Sequence, residues 1–294
     1  MNKKIVNFEK ISLYTESFGD SSKPAVLLIA GAMAPARCWI DEFCQQLADS
    51  KYFIIRYDHR DMGLSSAIDY VKNPYTLDNL VQDAIVILNA YAIKKAHIVG
   101  HSMGGAITQL IALDYPDRVL SITLISSAVL ANYQLTVHEK ENLEKTWQEF
   151  GRNKPTQKFA ESVDGFIDSY TYLHGDIPVD QDIALDYIKD MYERSEPEHI
   201  AWFEKFSTGV EPMHNHIKAQ LNISNRTQDL KNIKVPVLII QGGKDPLVFE
   251  RVVHDYCVKF IPHAKLEIIS GMGHMILNCV LFAKIKDLIK KFIS

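Results

Sequence analysis

Cysteine is scarce in this 294-residue chain. The four present, Cys38, Cys44, Cys257 and Cys279, form no C-x-x-C pair. A disulfide scaffold or a zinc module needs denser and more regular spacing, so both are excluded, and four free thiols in a reducing cytoplasm are expected. Long apolar runs are missing too. The longest lies around Ala25–Ala34, well short of the roughly 20 residues that cross a bilayer. No apolar stretch follows the Lys-bearing N-terminus, so no signal peptide is expected. Basic excess is absent, with 32 Lys and Arg against 36 Asp and Glu and a net charge of -4. That balance argues against nucleic acid as a partner. No phosphate loop or dinucleotide fingerprint is found, and no metal or organic cofactor is expected. The chain is 47% hydrophobic and 23% charged, as in ordinary soluble globular proteins.

What is present is an alternation of strand-like and helix-like segments. Ile5–Phe8 and Ile11–Tyr14 can pair around Glu9 and Lys10. Ala25–Ile29, Tyr52–Tyr57, Ala96–Val99 and Val119–Ile125 read as strands, and Ala25–Ile29 is apolar throughout, as in a strand buried on both faces. Helices are expected over Cys38–Ala48, from Thr76 as N-cap through Leu88, and from Ala106 to a stop before Pro116. The pattern resumes with strand Val235–Ile240, helix Val248–Phe260, strand Lys265–Ile269 and a helix striped by Leu277, Leu281, Ile285, Leu288 and Phe292. Such alternation predicts an α/β fold with a mainly parallel sheet between helical layers.

Residues 128–228 break the alternation. They carry helical faces, Phe159, Val163, Phe166 and Tyr170 on one and Ile183, Tyr187 and Met191 on another, but no strand. Ser195-Glu196-Pro197-Glu198 reads as a capping box opening a helix through Phe206. The stretch holds 10 Lys and Arg against 17 Asp and Glu, net -7, while the remainder is net +3. The domain reading is a core of 1–127 and 229–294 with a helical lid over 128–228. The charge difference reads as two solvated surfaces of different composition, or as a lid whose field disfavours polyanions.

Gly100-His101-Ser102-Met103-Gly104 fits G-x-S-x-G. It lies between a strand and a helix, the setting in which a serine is exposed on a sharp turn. A serine hydroxyl needs a base. His274 follows strand Lys265–Ile269, and Asp245 follows strand Val235–Ile240. All three stand at carboxyl ends of strands, where open α/β sheets bind ligands. Two backbone donors should stabilise an oxyanion, the N–H of Met103 and, by position after Ala25–Ile29, that of Ala32. His214 and His216 sit in a loop-like stretch whose sole nearby carboxylate is Glu211, so no metal site is expected there. His59 and His101 have no evident partner. Asp58–Ser65 reads as a structural loop beside the site.

These residues resemble the α/β-hydrolase superfamily, and within it the bacterial aclacinomycin methylesterase type. The segments RYDHRDMGLSS (Arg56–Ser66), NPYTLDNLVQDA (Asn73–Ala84), HIVGHSMGGAITQLIALD (His97–Asp114), IQGGKDPL (Ile240–Leu247) and IISGMGH (Ile268–His274) carry the likeness. It is weak across 128–228. The resemblance implies an eight-stranded α/β-hydrolase fold with a helical cap. It also implies a serine esterase with Ser102, Asp245 and His274 as triad and Ala32 and Met103 as oxyanion donors. The implied partner is a small, apolar ester. Thioesterase, C–C hydrolase, perhydrolase and aminopeptidase chemistry all fit the same triad, as does a slow-turnover binding protein.

Overall fold

The apolar runs become one eight-stranded sheet. Its strands are β1 (Asn2–Phe8), β2 (Ile11–Phe18), β3 (Ala25–Ile29), β4 (Phe53–Tyr57), β5 (Ala96–His101), β6 (Val119–Ile125), β7 (Val237–Gly242) and β8 (Lys265–Ile269). Their spatial order is β1-β2-β4-β3-β5-β6-β7-β8. The β1–β2 and β2–β4 pairs are antiparallel, and every later pair is parallel. The computed structural model describes residues 1–127, 134–152, 159–194, 214–222 and 225–294. The capping box at Ser195 lies outside them.

Central strands are buried on both faces because helices cover both. On one side α2 (Leu77–Ala90) and α3 (Met103–Asp114) join a core that includes Leu80, Leu88, Ile107 and Ile111. On the other α1 (Asp41–Asp49) and the C-terminal helix Cys279–Ile293 pack Phe43, Leu47, Leu281 and Ile285. Between β6 and β7 the chain adds α4 (Val137–Arg152), α5 (Phe159–His174), α6 (Gln181–Glu193) and α7 (His214–Leu221). Phe166, Tyr170, Tyr187 and Met191 on α5 and α6 are buried, on the faces their spacing predicted.

Several boundaries differ from expectation for local reasons. The segment expected as one helix from Cys38 begins as a 3-10 turn at Ala36–Cys38, and α1 starts at Asp41. Trp39, fully buried between them, interrupts the helix. β7 starts at Val237 rather than Val235, because Pro236 has no N–H to give a neighbouring strand. The helix expected from Val248 starts at Glu250, and runs on into a π-helical turn over Val253–Val258. The N–H groups of Leu247 and Val248 are instead turned onto Asp245 Oδ1, at 2.9 and 2.8 Å. Thr76 does cap α2, and its own N–H donates to Asn79 Oδ1 at 2.9 Å.

A buried charge cluster joins the insertion to the sheet. Arg56 on β4 and Glu16 on β2 are both fully buried, and Arg56 Nε donates to Glu16 Oε2 at 2.8 Å. Burial alone would raise the Glu16 carboxyl, but Arg56, Arg194 and Arg37 outweigh it and hold it below its ordinary value. Arg194, at the end of α6, reaches Glu16 at 3.5 Å, and Arg37 reaches Asp190 of α6 at 3.4 Å. Removing Arg56 leaves buried Glu16 with only Arg37 and Arg194, at 3.3 and 3.5 Å, to compensate its charge. Arg56→Met should therefore lower unfolding free energy by about 2–3 kcal/mol, less than for a pair left with no second partner. Adding Glu16→Leu should return much of the loss. Urea denaturation of both variants checks this, and a single-variant loss below about 1 kcal/mol would contradict it.

Candidate active site

The parallel strand order reverses between β3 and β5, which places a crevice at their carboxyl ends. Ile29 pairs with Gly100, so the loop after β3 leaves the sheet beside Ser102. Ser102 itself has φ 52° and ψ -120°, a strained conformation for a residue with a side chain. The turn closes only because its neighbours are small. A Cβ on Gly104 would stand 2.3 Å from the Ile29 carbonyl oxygen, and one on Gly100 would stand 2.2 Å from that of Gly104. The Ser102 carbonyl accepts from Ser127 Oγ–H at 2.8 Å.

The structure brings Ser102, His274 and Asp245 together. Ser102 Oγ lies 3.0 Å from His274 Nε2. His274 Nδ1 lies 2.9 Å from Asp245 Oδ2 and 3.1 Å from Oδ1. A carboxylate can only accept here, so Nδ1 carries the proton and Nε2 offers its lone pair to the Ser102 hydroxyl. Asp245 and His274 are buried. The two backbone donors at Leu247 and Val248 lock the Asp245 carboxylate in place, so its turn-forming role and its role behind the histidine coincide.

The His274 loop is held from two sides. Leu173 and His174, at the end of α5, accept through their backbone carbonyls from the N–H groups of His274 at 2.6 Å, Met275 at 3.1 Å and Gly273 at 2.8 Å. His101 Nε2–H donates to the His274 carbonyl at 2.8 Å, a partner the sequence did not disclose. Burial, aided by neighbouring His274, pushes the His101 imidazole down to about 4. Buried Asp58, which accepts from Ala36 N–H at 2.7 Å and Leu64 N–H at 3.1 Å, is pushed up to about 6 by that burial.

The two shifts act oppositely on stability. Neutral His101 contributes stability above its ordinary value of 6.5, and this is lost as pH falls through about 4. Asp58 favours its neutral form in the fold, so its contribution grows as pH falls through about 6. A variant isolates the first effect. His101→Gln keeps a donor for the His274 carbonyl but does not titrate. Relative to wild type it should gain roughly 2–3 kcal/mol between pH 7 and pH 4.5. Parallel stability curves in thermal melts would refute this.

Above Ser102 lies a cavity of about 400 Å³. Ala32 and Met103 line it with Ser102, and Trp147, Phe166, Tyr170 and Tyr187 form much of its apolar wall. Met103 is the first residue of α3, so its N–H belongs to the helix turn that has no acceptor within the helix. The helix terminus adds a field favourable to negative charge. Among the described residues no three His, Cys, Asp or Glu side chains gather as a metal-binding group.

His214-Asn215-His216 is not a loop, as the sequence suggested, but the first turn of α7. Asn215 and His216 are buried and bond to core loops distant in sequence. His59, also buried, bonds the Ala30 carbonyl through Nε2 at 3.1 Å. The sequence gives only a weak signal for these contacts, polar residues where a helix face should be apolar.

Comparison with known proteins gives the family of the fold that carries this arrangement. Residues 24–277 match the family model described as alpha/beta hydrolase fold, and the chain belongs to that family. It is similar to the rhodomycin D methylesterase DauP of a Streptomyces species, 31% identical with 93% of this chain and 92% of that protein covered. It is also similar to the rhodomycin D methylesterase DnrP of Streptomyces peucetius, at 30% identity with the same coverage. Among solved structures, one from work on carboxylesterases of Nitrososphaera gargenis shares the fold, with a TM-score of 0.72 at 22% identity over 98% of this chain and 97% of that one.

Proposed function

We propose that this protein is a serine hydrolase that cleaves a carboxylic ester, with a methyl ester of an apolar acid as the favoured case. The observation that carries the reading is the Ser102–His274–Asp245 chain of contacts, at 3.0 and 2.9 Å, opening into an apolar cavity. The names of the methylesterase relatives support the methyl ester. The dominance of apolar groups around the cavity supports an apolar acid.

In this reading Ser102 Oγ attacks the ester carbonyl while His274 Nε2 takes its proton. The N–H groups of Ala32 and Met103 receive the oxyanion. Asp245 holds the imidazole in the Nδ1–H tautomer and stabilises its cation. His274 then gives the proton to the departing alkoxide, and the alcohol leaves. A water deprotonated by His274 attacks the acyl-enzyme and frees the acid. Every step uses side chains and backbone of this chain, with no metal or organic cofactor assigned a part. Residues 128–228 act as a helical cap on a core of 1–127 and 229–294, and the cap supplies most of the aromatic wall. The cytoplasm is the proposed compartment. Among the described residues, no helix is long and apolar enough to cross a membrane.

The test is a fluorophosphonate probe with adduct mapping by mass. Labelling at Ser102 alone, absent in Ser102→Ala, is the expected result. A well-folded wild-type protein that takes no label would overturn the reading.

A further inference from the structure

Ala32 sits in a loop with a strained neighbour. Met33 has φ 61°, in the left-handed region where a residue with a side chain is held at a cost of order 1 kcal/mol or more. Such a turn persists when its surroundings fix it. Here two buried imidazoles grip the peptide groups on either side of the one that carries the Ala32 N–H. His59 Nε2–H donates to the Ala30 carbonyl at 3.1 Å. The Met33 N–H donates to His216 Nδ1 at 3.0 Å.

The partners fix the state of each ring. His216 accepts at Nδ1, and its Nε2–H donates to the Arg60 carbonyl at 2.9 Å, so the ring is neutral with its one proton on Nε2. Burial, together with adjacent His216, pushes the His59 imidazole down to about 3. The two rings meet edge to face, centroids 5.6 Å apart. Asn215, one residue before His216, donates from Nδ2 to Asp61 Oδ2 at 3.1 Å. The first turn of α7 is thus keyed into both the Asp58–Ser65 loop and the loop after β3.

We infer that His216 is a positioning residue for the oxyanion hole: with His59 at the other end, it sets the orientation of the Ala32 N–H by fixing the Met33 N–H. The inference rests on Ala32 being an oxyanion donor. It gives the insertion a part in transition-state stabilisation through a residue that does not react. An interaction of this kind is strongest as charge develops on the carbonyl oxygen, so its loss falls on kcat rather than KM.

Two near-isosteric variants separate positioning from general stability. His216→Asn places an amide oxygen near the Nδ1 position and keeps an acceptor for Met33. His216→Gln places its amide near the Nε2 position and keeps the contact to Arg60 but not the one to Met33. With p-nitrophenyl acetate as probe substrate, the Gln variant should lose about 10- to 100-fold in kcat, below the full effect of deleting a donor, with KM within about twofold. The Asn variant should stay within about threefold of wild type in kcat. Fluorophosphonate labelling of Ser102 should slow in the same order. Equal kcat in the two variants, whether low or native, would overturn the inference.

Should either variant fail to fold, His59 supplies the same comparison from the other end. His59→Gln keeps a donor at the Nε2 position for the Ala30 carbonyl, and His59→Asn does not reach it. The Gln variant should retain kcat and the Asn variant should lose it, and equality again overturns the inference. Wild-type protein that takes no label at Ser102 would instead sink the underlying hydrolase reading.

Discussion

Ser102→Ala should lower kcat on p-nitrophenyl acetate about a millionfold and leave the fold intact. Without Oγ there is no atom for His274 Nε2 to deprotonate and none to carry the acyl group. What remains is catalysis by the oxyanion donors and by binding, which together still exceed the rate in water. Turnover within tenfold of wild type would refute the assignment. Stability offers a second reading on the same position. Alanine keeps the φ of 52° that strains Ser102, whereas glycine relieves it. Ser102→Gly should therefore melt above Ser102→Ala, by an amount equivalent to about 1 kcal/mol after glycine's own entropic penalty. If the glycine variant melts lower, the turn is not a store of strain.

Asp245→Asn should lower kcat about ten-thousand-fold with KM little changed. The amide oxygen can still accept from Leu247 and Val248, which bind Oδ1 at 2.9 and 2.8 Å. That requirement turns the amide NH2 toward His274 Nδ1. A donor there selects the tautomer with its proton on Nε2, and the lone pair facing Ser102 Oγ is lost. The stabilising charge beside the imidazolium is lost as well. Fluorophosphonate labelling should slow in parallel, since it needs the same deprotonation. A variant that turns over within tenfold of wild type would mean that Asp245 serves only the turn it closes.

The strands were legible where an apolar run ends cleanly at turn residues. Ala25–Ile29, Val119–Ile125 and Lys265–Ile269 stand as their sequences suggest. Periodicity failed where one residue had a tertiary reason to leave its element. Trp39 is drawn into the core and splits a helix. Asp245 recruits two N–H groups and delays another. The proximity of Ser102, Asp245 and His274 was readable because each lies just past a strand, and a parallel sheet brings such positions to one edge. His59, His101, Ser127 and His216 were not readable in the same way. Met33 and His216 are 183 residues apart, and no local pattern marks a histidine that will face a particular backbone N–H. The His216 contacts are consequences of how the insertion docks, and those of His59, His101 and Ser127 of how loops of the core meet one another.

The backbone clasp between the end of α5 and the His274 loop bears on how this scaffold can be altered. Three N–H groups of Gly273–Met275 are satisfied by carbonyls of Leu173 and His174, which belong to the insertion and not to the sheet. A graft that exchanged residues 128–228 for another lid would withdraw those acceptors. It would leave buried donors in the His274 loop, at roughly 1–3 kcal/mol each. In this protein the insertion and the His274 loop are therefore not separate modules. Any recombination meant to change the acid or alcohol accepted has to carry the Leu173–Gly175 junction across intact.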